Sequence, residues 1–261
     1  MFMKKIYGKF IFVLSKNFDT SFLGSKYGGW EYIEDSSLRE AVIISAGVGT
    51  DISFDIEIMQ KYNSKIIFVD PTPEALNHLN SVISALGNEK LITYSDDGKQ
   101  DINSYNLKNL NKENFFVCNK ALYTEDNKKI KFYKPKNSQH VSHSISNWQN
   151  DYSANTPFIE VKTINFDNLF KKYQISDLFL IKLDIEGAEY KVLKNLLQMK
   201  LRVKQILVEF DELQVDKSIN YIKYIYLIIL LHLKGYSMVR TNSLTNYLFI
   251  DKSSFKDNQL S

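Results

Sequence analysis

The sequence predicts an α/β fold in which one mostly parallel, doubly wound sheet ends in an antiparallel hairpin. The first observation is an apolar, mostly β-branched run at 42–44, followed by the Gly-x-Gly turn of Gly47 and Gly49. The second is that further apolar runs alternate with stretches of helical periodicity, as in parallel strands joined by helices. The third is a pair of apolar runs, 236–240 and 247–251, around a polar turn, which predicts the hairpin.

The remaining elements are predicted in chain order. Residues 6–14 are expected to form a short strand or lead-in, and a glycine-rich patch with two aromatic rings follows at 24–30. The polar stretches 91–114 and 135–157 indicate excursions from the core, and a loop as long as the second is usually either disordered or part of a site. Strands are predicted at 64–70, 115–118, 129–133, 159–164, 178–184 and 203–210. Helices are predicted at 52–62, 73–86, 166–173, 188–197 and 219–233.

The composition bears on the compartment and the partners. The 261 residues carry a net charge of +3 with acids and bases interspersed, so the mild basicity does not indicate nucleic acid. Cys118 is the only cysteine, which excludes an internal disulfide and suits the cytoplasm. Residues 1–14 lack a signal-peptide pattern. The most apolar stretch, 224–231, is too short to span a membrane and is expected to be a buried core helix. The composition does not decide whether the protein forms a homo-oligomer.

The residues after the glycine turn indicate the cofactor. Asp70 ends the second strand, about 20 residues past the turn, where an acid is placed to bind ribose hydroxyls. A dinucleotide fingerprint would have a third glycine at the position of Ile52, and the bulky side chain there argues against a pyrophosphate. S-adenosylmethionine has an adenosine and no phosphate. The pattern therefore favours S-adenosylmethionine over NAD.

One end of the predicted sheet collects the residues that carry chemistry. Ligands in open α/β sheets bind beyond the carboxyl ends of the strands. Strand alternation places Lys182 and Asp184 on the same face, and a buried lysine is costly unless it is paired, so Asp184 or Glu186 is its expected partner. A purely structural ion pair stays an alternative. The residues at these strand ends are Gly47, Gly49, Asp70, Asn119, Asp184 and Glu209.

The segment from Lys182 to Glu189 reads Lys-x-Asp-x-Glu-Gly-x-Glu and resembles the hallmark of the FkbM family of S-adenosylmethionine-dependent methyltransferases. The resemblance implies a single Rossmann-like class I methyltransferase domain over 41–261, with a polar insert around 135–157. Residues 1–40 are predicted to be a lead-in. The glycine-rich patch at 24–30 is either a flap over the active site, in which Tyr27 and Trp30 stack on a ligand, or a loop whose rings cap the core. Further segments resemble one branch of the family: 27–30, 45–55, 70–73, 119–122 and 143–144.

The resemblance also implies the contacts of the two ligands. Ser45 stands where many methyltransferases carry an acid, and Asp51 is the acid that would compensate at the helix start. Glu209 and Asp211 stand where relatives often have Glu-x-His. The implied cofactor contacts are Ser45, Gly47, Gly49, Asp51, Asp70, Pro71, Thr72, Asn119, Ala121 and Asp184. The implied substrate contacts are Tyr27, Trp30, His140, Trp148, Glu186 and Glu209.

The transfer of a methyl group to a hydroxyl needs a proton acceptor, because a neutral hydroxyl is a poor nucleophile. His143 is the first candidate for this base, since histidine titrates near neutral pH, and Asp184 is the second. Lys182 completes the catalytic set. His140 is a weaker candidate base. The carboxylates of Asp184, Glu209 and Asp211 could instead bind a divalent cation, but the spacing does not establish this and no metal ligand is assigned.

The expected activity is S-adenosylmethionine-dependent O-methyl transfer to a hydroxyl of a sugar or related small molecule, as the resemblance implies. The expected setting is the biosynthesis of a surface polysaccharide or a secondary metabolite in the cytoplasm, with no nucleic acid and no membrane span. An NAD-dependent oxidoreductase and a non-catalytic adenosine-binding subunit are the alternatives.

Overall fold

The structure is a computed structural model that describes the following residues, apart from the side chains of residues 148 and 149: 2–135, 143–150, 153–215, 217–243 and 245–255. The strands are β1 Ser21–Leu23, β2 Trp30–Tyr32, β3 Val42–Ala46, β4 Lys65–Val69, β5 Phe115–Cys118, β6 Ala121–Leu122, β7 Lys129–Tyr133, β8 Phe158–Ile164, β9 Leu178–Leu183, β10 Val203–Glu209, β11 Tyr236–Val239 and β12 Asn246–Asp251. The α-helices are α1 Phe2–Leu14, α2 Ser53–Tyr62, α3 Pro73–Ser84, α4 Phe166–Tyr173, α5 Glu189–Leu196 and α6 Ser218–Leu233.

The central sheet has seven strands in the order β11-β12-β10-β9-β3-β4-β5. All neighbouring pairs are parallel except those of β12, which runs antiparallel to both β10 and β11. The chain moves outward from β3 to β5, and then returns to continue outward on the other side from β9. The predicted doubly wound sheet with its C-terminal hairpin is therefore confirmed, and its strand order reverses between β3 and β9.

Helices cover both faces of this sheet, which is why its strands read as continuous apolar runs. All six residues of β9 are buried. Their side chains alternate between the two faces, so Leu180 joins the core under α2 and α3, while Ile181 joins the core under α4, α5 and α6. The carboxyl ends of the strands project beyond these two layers and carry the candidate site.

The first element differs from the prediction. Residues 6–14 were expected to form a short strand or lead-in, but the chain forms helix α1 there. Met3, Tyr7, Phe10 and Leu14 repeat at helical spacing and pack against the core. The Tyr7 hydroxyl donates to the Tyr247 hydroxyl at 3.0 Å, which fixes the helix to the end of the sheet.

Two small sheets flank the central one. The first is the antiparallel pair of β1 and β2, which encloses the glycine-rich patch at 24–30 and was not predicted. In the second, β8 lies between β6 and β7, and the antiparallel pairing of β7 with β8 agrees with the predicted half-hairpin at 129–133. Both sheets lie beside the cavity described below, because residues from each line its wall.

Helix α6 is buried on one face only, so the expectation of a buried core helix at 224–231 is right for half of its surface. Tyr224, Leu227 and Leu231 are buried against the sheet. Ile222, with 51% of its surface exposed, and Tyr226, also 51% exposed, lie on the opposite face. None of the helices in the described part of the chain combines the length and hydrophobicity that a bilayer crossing requires.

A buried ion pair connects the sheet to helix α2. The ammonium of Lys182 donates to the carboxylate of Asp55 at 2.9 Å, and the two residues are 3% and 0% exposed. The expected partners were Asp184 or Glu186, and that prediction is wrong. Lys182 has the same strand parity as Leu180, so its side chain points into the layer that contains α2, where Asp55 stands in the first turn.

Breaking this pair should destabilise the fold strongly. Asp55→Ala leaves the Lys182 ammonium buried without its counter-charge, so we expect a loss of about 3–5 kcal/mol in the free energy of unfolding measured with urea. Glu89→Ala is the matched control, because it breaks an exposed ion pair with Lys108 and should cost less than about 1 kcal/mol. Equal losses in the two variants would contradict a stabilising role for the buried pair.

Candidate active site

A cavity of about 1440 Å³ opens at the carboxyl ends of the central strands, where the strand order reverses. Its wall is built from the ends of β3, β4, β9 and β10 and from the loops that follow them. This is the place where open α/β sheets bind ligands. Most of the predicted site residues line it: Tyr27, Trp30, Gly47, Gly49, Asp51, Asp70, Pro71, Thr72, Ala121, His143, Lys182, Asp184, Glu186 and Glu209.

Two predicted cofactor contacts do not belong to the cavity wall. Ser45 is fully buried, because strand alternation turns its side chain into the same layer as Ile43, and its hydroxyl has no hydrogen-bond partner among the described residues. Asn119 follows β5 at the edge of the sheet and is exposed away from the wall. Of the predicted substrate contacts, His140 and the Trp148 side chain lie outside the described residues.

The glycine turn brings two strand ends into backbone contact. Gly47 has φ +77°, and a Cβ added to it would lie 1.5 Å from the carbonyl oxygen of Asp184. The Asp184 amide donates to the Ala46 carbonyl at 3.0 Å, which fixes the two strand ends against each other. Gly49 has φ +59°, but a Cβ there would meet open space. Gly47 is therefore required for close packing, whereas Gly49 leaves room beside the turn.

Asp70 holds the turn in shape. One carboxylate oxygen accepts from the Val48 amide at 2.8 Å, and the other accepts from the Thr72 amide at 2.8 Å and its hydroxyl at 2.6 Å. The carboxylate thus connects the glycine turn to the loop that begins α3. Thr72 precedes α3 as predicted, but its hydroxyl bonds to Asp70 and makes no cap hydrogen bond to the helix.

Asp51 organises the glycine-rich patch that was predicted to be a flap or a loop that caps the core. Its carboxylate accepts from the Ser25 hydroxyl at 2.7 Å, from the Gln100 amide at 2.8 Å and from the Ser53 backbone amide at 3.0 Å. A Cβ on Gly28 would lie 2.5 Å from the Asp51 carboxyl carbon, so the patch packs directly on this side chain. Asp51 lines the cavity, and most of its hydrogen-bonding capacity is used inside the protein.

Glu189 shapes the loop that follows β9. Its carboxylate is fully buried and accepts from the Ile185 amide at 3.0 Å and from the Gly187 amide at 3.0 and 3.1 Å. Glu186 and Gly187 both adopt left-handed backbone conformations, with φ +51° and +98°. Burial raises the pKa of Glu189 to about 7, although its bonds to backbone amides oppose this rise. The last acid of the Lys-x-Asp-x-Glu-Gly-x-Glu segment therefore acts as a loop anchor.

Four carboxyl groups form one side of the cavity, and we call them the acidic cluster: Asp184, Glu186, Glu209 and Asp211. Burial raises the pKa of Asp184 to about 6, with Lys182 opposing the rise and Asp70 adding to it. Burial, followed by the charge of Asp184, raises the pKa of Glu209 to about 8. Burial and the other acids raise the pKa of Asp211 well above its usual range. This side of the cavity therefore favours cations and hydrogen-bond donors.

His143 lies on the cavity wall next to the loop after β9. It is 7% exposed, and the two residues that follow it bond to that loop. The Ser144 hydroxyl donates to the Glu186 carbonyl at 2.7 Å, and the Ile145 amide donates to the same oxygen at 3.3 Å. The structure thus places the first candidate base on the wall of the cavity that the acidic cluster also lines.

The two predicted aromatic contacts differ in their surroundings. Tyr27 is 57% exposed. Its ring packs on Gly98, since a Cβ added to Gly98 would lie 2.6 Å from a ring carbon of Tyr27. Burial raises the pKa of Tyr27, and the charges of Asp184 and Glu209 raise it further. Trp30 is 4% exposed and belongs to the core beneath α2, so its ring mainly packs inside the protein.

Sequence reasoning did not assign some residues that shape the site. Glu189 was seen only as part of a motif, and neither Ser25 nor Gln100 was singled out. Asp55 carried a readable signal, because it lies three residues after Ile52 and four before Met59 on the apolar side of α2. An acid at such a position needs a buried partner.

Comparisons with known proteins identify the family. A model of the methyltransferase FkbM domain matches residues 43–238. Among curated proteins none matches the chain. Similar solved structures include an rRNA methylase from Streptococcus thermophilus, with 10% identity, a TM-score of 0.36, and 94% of this chain and 92% of that chain covered.

Two further solved structures are similar to the chain. They are the aminoglycoside resistance methyltransferase NpmB1, with 10% identity, a TM-score of 0.37 and coverage of 88% and 99%, and M. jannaschii TYW2 in complex with AdoMet, with 9% identity, a TM-score of 0.30 and coverage of 90% and 85%. At these TM-scores the three likenesses carry no inference about the acceptor.

Gly47 should be sensitive to even the smallest side chain. Gly47→Ala forces the Asp184 carbonyl away from the turn, so we expect a lower melting temperature and loss of the thermal stabilisation that S-adenosylmethionine gives. Gly87→Ala is the matched control, because Gly87 also has a positive φ (+96°), a Cβ there meets open space, and it lies outside the cavity wall. This control should add only the strain of a left-handed alanine, about 1–2 kcal/mol, and keep the stabilisation by cofactor. Thermal scans with and without cofactor make the comparison. Cofactor stabilisation preserved in Gly47→Ala would refute the close-packing role.

Proposed function

This chain belongs to the FkbM methyltransferase family, and from that premise we propose that it transfers a methyl group to a hydroxyl of a sugar or related small molecule. The family match covers residues 43–238, which is well over half of the chain, and S-adenosylmethionine is the cofactor. The observation that supports the proposal is that His143 and the acidic cluster line the same cavity, at the reversal of strand order.

The cavity residues fit S-adenosylmethionine. Space is open beside Gly49, as a ligand that approaches the turn requires. Asp70 stands at the end of β4 and lines the cavity. Its Oδ1 atom already accepts two hydrogen bonds from Thr72, so Oδ2, which accepts from the Val48 amide, is the atom that would accept from the ribose hydroxyls. The acidic cluster would complement the positive charge of the cofactor. When bound, S-adenosylmethionine supplies an electrophilic methyl group on a sulfonium.

The acidic cluster supports an uncharged polyol as acceptor. Carboxylates of the acidic cluster accept hydrogen bonds from hydroxyls, which fixes the orientation of a sugar. The same negative charge disfavours a polyanion, so we propose no nucleic-acid acceptor. Tyr27 lines the same cavity from the glycine-rich patch and would pack on the acceptor. We propose a surface polysaccharide or a secondary metabolite as the final product, made in the cytoplasm.

We assign separate tasks to the three predicted catalytic residues. His143 takes the proton of the acceptor hydroxyl as the oxygen attacks in line, and Asp184 is the alternative base. Proximity and alignment of the two ligands supply much of the remaining acceleration. Lys182 lines the cavity, but its ammonium is bound to Asp55, so we give it a positioning role for β9 and the loop that follows. Residues 24–30 serve as the flap.

Calorimetry with an Asp70 variant tests the role of this residue in cofactor binding. Asp70→Ala should weaken S-adenosylmethionine binding by roughly 1.5–3 kcal/mol, the usual contribution of hydrogen bonds to a charged group. Glu74→Gln, an exposed acid on the next helix, should bind as the wild type does. NAD should give no heat of binding with either protein. Unchanged affinity in a folded Asp70→Ala variant would remove Asp70 from the cofactor site.

Turnover of candidate sugars tests both the reaction and the base. His143→Gln should lower the release of S-adenosylhomocysteine by roughly 10²–10⁴-fold with cofactor affinity unchanged, because a positioned base contributes that factor. Normal turnover in His143→Gln together with loss in Asp184→Asn would transfer the role to the carboxylate. If the wild type binds S-adenosylmethionine but methylates no hydroxyl compound, a non-catalytic adenosine-binding subunit becomes the better description.

A further inference from the structure

Three members of the acidic cluster converge on one point. Asp184, Glu186 and Asp211 each offer a carboxylate oxygen, and these oxygens all lie within 4.8 Å of one another. Asp184 and Glu186 come from the loop after β9, whereas Asp211 begins the short helix after β10. The loop anchor Glu189 holds the first two in place through the Ile185 and Gly187 amides. The convergence is thus built by two neighbouring strand ends.

Asp211 provides the independent sign that this point receives a ligand. It is 3% exposed, and its Oδ2 atom is shut off from solvent and has no hydrogen-bond partner among the described residues. Its Oδ1 atom accepts only from the Gln214 amide, at 3.4 Å, in that part of the chain. A buried carboxylate without a partner is unfavourable unless it coordinates a cation or is neutralised. Lys182 lines the same cavity but donates to Asp55.

We propose that Asp184, Glu186 and Asp211 bind a hard divalent cation that holds the acceptor hydroxyl. Ca²⁺ and Mg²⁺ both prefer oxygen ligands, and carboxylates are the usual protein donors. With a Ca²⁺–oxygen distance of about 2.4 Å, two ligand atoms of one ion lie at most about 4.8 Å apart. The three carboxylate oxygens stay within that limit, so one ion can contact all of them.

Three monodentate carboxylates leave coordination positions for water or for the acceptor. A hydroxyl bound there becomes more acidic, because the cation stabilises the developing alkoxide. The hydroxyl proton passes to His143, since Asp184 is occupied as a ligand, and the C–S bond of the sulfonium breaks as the C–O bond forms. This catalytic role rests on the proposed function, whereas binding of the cation does not.

Direct titration of Mn²⁺ tests the site without relying on turnover. The full chain is treated with EDTA, exchanged into metal-free buffer and titrated with Mn²⁺ while free Mn²⁺ is followed by electron paramagnetic resonance. We expect one site that Ca²⁺ and Mg²⁺ compete for. Asp211→Asn should weaken Mn²⁺ binding by at least about tenfold, because the affinity of oxygen sites follows the number of charged ligands. Glu113→Gln, an exposed acid on another loop, should bind as the wild type does.

The outcomes separate this proposal from the proposed function. Absence of Mn²⁺ binding to the wild type, or binding that is unchanged in Asp211→Asn, overturns the site. If circular dichroism shows that Asp211→Asn is unfolded, Glu186→Gln replaces it, and unchanged binding there overturns the site equally. S-adenosylmethionine binding is measured by calorimetry in EDTA. Binding of S-adenosylmethionine without binding of Mn²⁺ rejects the cation site alone. Binding of Mn²⁺ without binding of S-adenosylmethionine rejects only the proposed function.

Discussion

The contact between Gly47 and the Asp184 carbonyl is the constraint on which the rest of the site depends. The absence of a side chain at Gly47 lets the ends of β3 and β9 touch at the backbone, at the point where the strand order reverses. Each loop that leaves this point is then held by a buried acid. Asp70 fixes the glycine turn, and Glu189 fixes the loop after β9, in both cases by accepting from backbone amides. The geometry of the cavity follows from these two attachments.

The acids around the cavity divide into two groups by what their oxygens contact. The carboxylates of Asp51, Asp70 and Glu189 accept hydrogen bonds mainly from backbone amides and neighbouring polar side chains, so they hold the loops of the site in place. In the acidic cluster, burial and the charges of neighbouring acids raise the pKa values of Asp184 and Glu209. The first group builds the site, and the second gives it an affinity for positive charge.

The sequence allowed the order of strands and helices to be predicted because the central sheet is buried on both faces, which produces clear apolar runs. It also located the cavity, since strand ends meet at one edge. It failed at α1, because a short apolar run fits both the alternation of a strand and the spacing of a helix. It also failed at Lys182, since pairing with Asp55 connects residues 127 positions apart and depends on how α2 packs on the sheet. Ser45 was assigned from a family pattern, and its burial became visible only with the strand register.

The bonds from Ser144 and Ile145 to the Glu186 carbonyl have an evolutionary consequence. They attach residues 144 and 145 to the loop after β9 through a main-chain oxygen, which every residue type possesses. The bond from Ile145 joins two backbone groups, so changes of side chain at positions 145 and 186 leave it in place. The two segments can therefore diverge in sequence while they stay attached, and the side chains that they add to the cavity wall can be exchanged around this fixed point.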